Sequence, residues 1–204
     1  MYFNQLAWRA AKSTQSIRRT QFAVLLLLLL GLSSWLSSCG GDRSENIDNI
    51  DELVEGRSTL TNTATNVRIT VPDGWAKVGQ DLRQSHDIYT YQPGEQLYAT
   101  VLSEDEDVLS QFDLADNAEQ YRQLIRDELE SYEGETQTSL SSIDGHQAIQ
   151  YEIRGTVDGQ QVVYLHTTLR GDDGYYQVVG WTTADRYRES KDVLDEVIES
   201  FEET

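Results

Sequence analysis

The segment from Ser142 to Trp181 constrains the fold of this chain more than any other. It holds three β-rich runs, Gln147–Val157, Gln161–Arg170 and Tyr175–Thr183, divided by Asp158-Gly159 and by Gly171-Asp172-Asp173-Gly174. A further Asp-Gly pair, Asp144-Gly145, precedes the first run. Asp-Gly between alternating apolar runs is a strong hairpin signal, because a two-residue type I′ turn needs positive φ at both central residues. The segment therefore predicts an antiparallel meander on which the other elements pack.

Upstream, Val67, Ile69 and Val71 alternate with Arg68 and Thr70, the pattern of a half-buried strand. Pro72-Asp73-Gly74 ends it in a turn, and Trp75 is expected to anchor the core. Strands follow over Asp87–Gln92 and Gln96–Ser103, with Tyr89 and Tyr91 on one face and Tyr98 near them across the pair. A helix is expected from Asp116, whose spacing to Glu119 is that of a capping box. Its stripe is Ala118, Tyr121, Leu124, Ile125, Leu129 and Tyr132, and Gly134 stands where a C′ glycine belongs. Thr136–Ile143 reads as a strand, and a last helix runs from Ala184 to Phe201 with Thr182 and Asp185 at capping spacing. Tyr187, Leu194 and Phe201 fall seven apart on its apolar stripe. The expectation is one α+β domain over residues 67–204, an antiparallel sheet flanked by helices and large enough for a proper core.

The N-terminus carries different information. Residues 1–21 are polar and cationic, and Phe22–Leu32 is wholly apolar or Gly. A basic segment before an apolar run of about 7–15 residues is signal-peptide anatomy, and a spanning helix needs about 20. Leu36-Ser37-Ser38-Cys39 resembles a bacterial lipobox, and Cys39 is the sole cysteine of the chain. Residues 1–38 thus read as a lipoprotein signal peptide and Cys39 as the lipidation site. Gln21 stands where a twin-arginine signal after Arg18-Arg19 wants an apolar residue, which favours the general secretory route. Residues 39–66 are read as the lipidated Cys and a flexible acidic tether, because apolar residues there are sparse.

Beyond Cys39 the chain has 35 acids and 12 bases, a net charge of −23. Such a charge excludes nucleic acid as a partner and opposes adsorption of the domain itself to anionic lipid. No thiol remains after lipidation, so thiol catalysis and cysteine metal sites are excluded. Glu104-Asp105-Glu106-Asp107 is a run of four carboxylates. Oxygen ligands of this kind suit a weakly bound Ca²⁺ or Mn²⁺, but the run lacks the alternating spacing and Gly of a calcium loop. A solvated loop is the simpler reading. His86, His146 and His166 are scattered, and His166 shares a strand face with Val162, Tyr164 and Thr168, as a sheet residue does. No nucleophile elbow, phosphate loop or dinucleotide fingerprint is present, so binding is favoured over catalysis.

The order of features resembles the Mog/PsbP-like superfamily over residues 66–202. The marks are Val71-Pro72-Asp73-Gly74-Trp75, a mid-chain helix, Asp158-Gly159-Gln160 before Val163-Tyr164-Leu165, and a last helix ending Ser200-Phe201. That resemblance implies an αβα sandwich and a non-enzymatic protein. It also implies, through its PsbP branch, an accessory or assembly role at photosystem II on the lumenal side of thylakoids. The partners expected are a membrane, reached through the lipid anchor, and a protein in a membrane complex; the compartment is the periplasm or the thylakoid lumen. The alternative is a general envelope lipoprotein of the same fold that binds a small ligand or a stress-related partner.

Overall fold

Twelve strands and two helices make up the described part of the structure, a computed structural model covering residues 50–54, 56–77, 86–105, 112–172 and 174–204. They run β1 (Ile50–Val54), β2 (Arg57–Asn62), β3 (Val67–Pro72), β4 (Ala76–Lys77), β5 (Ile88–Gln92), β6 (Leu97–Asp105), α1 (Leu114–Glu128), β7 (Ser131–Gln137), β8 (Ser142–Ile143), β9 (His146–Val157), β10 (Gln160–Arg170), β11 (Gly174–Thr183), α2 (Ala184–Glu199) and β12 (Glu202–Glu203). Among these residues no helix is long and apolar enough to cross a membrane.

The meander forms as its turns require. Asp158 and Gly159 have φ of 48° and 76°, both left-handed as a type I′ turn needs, and Gln160 pairs with Val157 across it. β9, β10 and β11 are antiparallel neighbours, and β6, β5 and β4 extend the sheet beyond β11. β7 forms the opposite edge, and β8 pairs with β9. Every residue of β10 from Val162 to Leu169 is buried, so both faces of the sheet are covered. α1 covers one face over Ile153, Val157, Val162, Tyr164 and Val179. α2 covers the other with Leu194, Val197 and Ile198 against Val163, Leu165 and Val178. α2 approaches closely because Gly180 lies beneath it: a Cβ there would stand 3.1 Å from Ile198 Cδ1 and 3.3 Å from Leu194 Cδ2. The architecture is the expected αβα sandwich.

Three features differ from the sequence reading. The segment assigned to the tether includes two strands, β1 and β2, and β2 pairs with β3 along its whole length. Its pattern was weak because Leu60 is the one apolar side chain in β2; β-branched Thr59 and Thr61 and the backbone ladder to β3 complete the strand. With β12 these strands make a separate four-stranded sheet against the α2 side of the core, so β3 lies outside the main sheet. Helix α1 begins one turn earlier than expected, because Asp113, not Asp116, is the N-cap: its Oδ1 accepts from the Asp116 N–H at 2.8 Å. It also ends at Glu128, and Tyr132 with Gly134 belongs to edge strand β7, where the register to β9 shifts across that pair. The free edge of β9 competes there with helix propagation and wins.

Phe201 follows α2 rather than ending it, since Ser200 is the C-cap. Its ring is fully buried, 5.1 Å from that of Tyr176. Ser200 Oγ accepts from Thr70 N–H at 2.8 Å, so the helix end is fixed to β3 as well. Phe201→Ala should therefore cost about 3–5 kcal/mol by chemical denaturation. A loss under about 0.5 kcal/mol, the scale of surface positions, would contradict this packing.

Candidate functional site

The face of the sheet beneath α1 is where polar and aromatic chemistry collects. In-register pairing places Thr168 opposite Gln177 and His166 opposite Val179. All are at most 2% exposed, so their polar atoms need partners. Gln177 Oε1 accepts from Thr168 Oγ1 at 2.6 Å and from His166 Nε2 at 2.9 Å. Gln177 Nε2 in turn donates to Asn117 Oδ1 of α1 at 2.8 Å. The helix is thereby docked by a buried amide as well as by apolar area. Tyr121 stacks on His166 with centroids 6.0 Å apart. His166 Nδ1 and Asn117 Nδ2 have no hydrogen-bond partner among the described residues.

One turn further along α1, Arg122 and Arg126 both pair with Glu135 of β7 and with Glu119. The Arg122 guanidinium also lies 3.6 Å above the Tyr151 ring. Two arginines sharing one shielded carboxylate hold the helix against the sheet edge.

Beside α1 the same face carries an aromatic row. Register brings Tyr91, Tyr98, Trp181 and Tyr164 side by side on β5, β6, β11 and β10. Successive centroids stand 6.4, 5.3 and 6.1 Å apart, and Tyr89 stacks on Trp181 at 5.9 Å. Burial pushes the Tyr89, Tyr98 and Tyr164 hydroxyls above the usual phenol range, aided by the neighbouring phenols, so the row stays neutral. Where the row meets the end of the sheet, a cleft of about 390 Å³, counting its open mouth, lies between the β5–β6 and β9–β10 turns. Tyr98, Trp181, Gln96 and Gln160 are among its lining.

The residues singled out from sequence fall elsewhere. Cys39, Glu106 and Asp107 lie outside the described residues; Glu104 and Asp105 end β6. Among the described residues no three His, Cys, Asp or Glu side chains come together as a metal site. The three histidines are placed apart: Thr100 Oγ1 contacts His86 Nδ1 at 3.1 Å, His146 Nε2 lies 3.6 Å from Glu203, and His166 is a sheet residue under α1. Sequence reasoning placed Tyr89, Tyr91 and Tyr98 together but missed Trp181 and Tyr164, which join them only through pairing of distant strands.

No protein-family model matches the sequence, and no curated protein matches it. Among solved structures, that of cyanobacterial PsbP (CyanoP) from Synechocystis sp. PCC 6803 is similar over 83% of this chain and 99% of that chain, with a TM-score of 0.54 and 16% identity. Weaker likenesses are PA94 from Pseudomonas aeruginosa, with a TM-score of 0.41, 10% identity and coverage of 71% of this chain and 94% of that one, and LpqN of Mycobacterium tuberculosis, involved in cell envelope biogenesis, with 0.40, 14%, 71% and 88%. The chain has a PsbP-like fold, as its sequence resemblance implied.

The buried histidines make stability depend on acid. Burial pushes His166 down to about 4 despite its hydrogen bond to Gln177, with the Arg122 cation adding to the fall, and burial likewise lowers His86 to about 4. Both rings stay neutral in the fold, so the unfolded chain binds more protons between about pH 4 and 6.5. This contribution to stability is complete above about pH 6.5, is lost as pH falls through that window and levels off near 4. Each ring accounts for on the order of 3 kcal/mol. His166→Gln retains a donor toward Gln177 and should remove about half of the wild-type loss between pH 6.5 and 4, read from urea denaturation. An unchanged slope would mean that His166 titrates normally in the fold.

Proposed function

We propose that this protein is an exported, lipid-anchored accessory module that docks on a membrane complex, with photosystem II the complex to which its PsbP resemblance points. The observation that carries the reading is a combination: a lipobox at Leu36–Cys39 ahead of a domain whose fold aligns with 99% of cyanobacterial PsbP. The module acts by binding, not catalysis, on the periplasmic or lumenal side. Because β1 starts at Ile50, the tether shortens to residues 40–49. Ten residues span at most about 35 Å even when fully extended. The domain is thus held close to the bilayer at high effective concentration, while its charge of −23 keeps it off anionic headgroups.

Docking then needs a basic partner surface, or Ca²⁺ or Mn²⁺ bound near Glu104–Asp107 in its place. Crosslinking in native membranes followed by mass spectrometry tests this. Capture of a defined complex should weaken as salt shortens the Debye length from about 10 to 3 Å. Cys39→Ser should abolish lipid labelling and membrane retention, and neutralising Glu104–Asp107 to Gln and Asn should reduce capture. Salt-insensitive capture would overturn the electrostatic docking, and lipid labelling of the Cys39→Ser protein would overturn the anchor.

A further inference from the structure

One edge of the main sheet is left open. β7 is its last strand, hydrogen-bonded to β9 alone among the described strands. Thr138 N–H donates to Gln150 O at 3.0 Å, one step beyond the Gln137–Tyr151 pair. Main-chain groups alternate along an antiparallel ladder, so Gly134 and Thr136 face β9, while Glu135 and Gln137 turn N–H and C=O outward. Among the described residues nothing bonds to those outward groups. Ser131, Tyr132, Glu133, Thr136 and Gln137 are exposed. Sheet edges are commonly blunted by Lys, Pro or a bulge. β7 has neither Lys nor Pro, and its bulge, between Tyr132 and Gly134, leaves the ladder regular from Gly134 to Gln137.

The two faces of that edge differ in chemistry. Tyr132 lies on the α1 side, and at 45% exposed it is the one large apolar side chain left in solvent among the described residues. The Arg126 guanidinium stands 6.0 Å from its ring centroid, held by two bonds to Glu135 at 3.0 and 3.1 Å and by Glu119. Tyr and Arg fixed in advance are residues that anchor interfaces. Glu133 lies on the α2 side, where its carboxylate accepts from Thr156 Oγ1 at 3.4 Å and from Gln161 Nε2 at 3.2 Å. Glu130 accepts from Gly159 N–H at 3.0 Å. Unlike Glu119 and Glu135, these two exposed acids pair with no cation among the described residues.

We infer that β7 accepts an extended basic segment of the docking partner as an added strand. The inference rests on the docking role proposed above and names the surface and the partner's chemistry. The main chain of the segment bonds to Glu135 and Gln137. Side chains of a strand alternate between faces, so its Lys or Arg residues meet Glu133 on one face and its apolar residues cover Tyr132 on the other. Charge disfavours a second copy at the same edge. Pairing β7 antiparallel with itself about Gly134 sets Glu133 against Glu135, and pairing about Glu135 sets that carboxylate against its own copy. Like charges directly opposite are destabilising.

The probe is a short peptide of alternating Lys and Val, blocked at both ends, with a Glu and Val peptide as its counterpart. Each is added to the lipidated protein in nanodiscs of zwitterionic lipid at about 1 mM, tenfold above the roughly 0.1 mM dissociation constant expected for one short strand. Exchange of the Glu135 and Gln137 amides, read by NMR, should slow about tenfold with the Lys peptide and stay unchanged with the Glu peptide. Gln137→Pro removes an outward N–H that the fold does not use, so it should keep the urea midpoint and abolish the slowing at Glu135. Tyr132→Ala, a change at an exposed side chain, should weaken binding about tenfold with the fold intact. Unslowed amides in the wild type, equal slowing by the two peptides, or binding untouched by both variants would overturn the proposal. So would a solution dimer that Gln137→Pro dissociates, since that assigns the edge to a second copy. In native membranes Gln137→Pro should also lose crosslinked capture of the complex. Capture kept by this variant overturns the assignment of β7 and leaves docking standing, whereas no capture by the wild type overturns the docking role and the inference with it.

Discussion

Val162 to Leu169 of β10 present no side chain to solvent, and the strand is hydrogen-bonded to β9 on one side and β11 on the other. A strand buried on both faces must be covered twice, which dictates a layer above and a layer below. The face of Val163, Leu165 and Leu169 is covered by α2 and the small sheet, and Thr167 on it accepts from buried Gln150 Nε2 at 3.1 Å. The other face bears His166 and Thr168 with Gln177 beside them, and such groups are tolerated in a core only when paired. Asn117 supplies the pairing from α1. The helix therefore lands where a specific amide is needed, not merely where area is available.

The same division organises the charge. The net charge of −23 beyond Cys39 resides mostly on the surface, but the acids nearest the interior are matched. Glu135 is shared by Arg122 and Arg126, and Glu152 accepts from the Tyr187 hydroxyl at 2.6 Å while pairing with Arg154. Single exposed ion pairs contribute little, so the network matters for placing α1 on the edge more than for total stability. The cleft at the end of the aromatic row departs from this pattern, since the residues lining it are all uncharged.

The meander was legible because its information is local: Asp158-Gly159 fixes a turn whose φ values the structure shows, and the runs on either side alternate accordingly. The apolar spacing of Leu194, Val197 and Ile198 made α2 legible for the same reason. What failed to show was decided by competition or distance. Asp113 and Asp116 both stand at cap-like positions, and only the chain path selects Asp113. Tyr132 continues a helical stripe, yet the open edge of β9 draws it into β7. β2 has a single apolar residue and exists because β3 offers it a ladder. The aromatic row needs Trp181 beside Tyr98, a contact between strands far apart in sequence.

Native-state hydrogen exchange tests most directly whether the doubly covered β10 supports the whole domain. Amides from Val163 to Leu169 should exchange only through global unfolding, with an opening free energy equal to that from urea denaturation. Amides of edge strand β7 should open at lower energy. If the β10 amides exchange as readily as those of β7, the central strand is not the element on which the other layers depend.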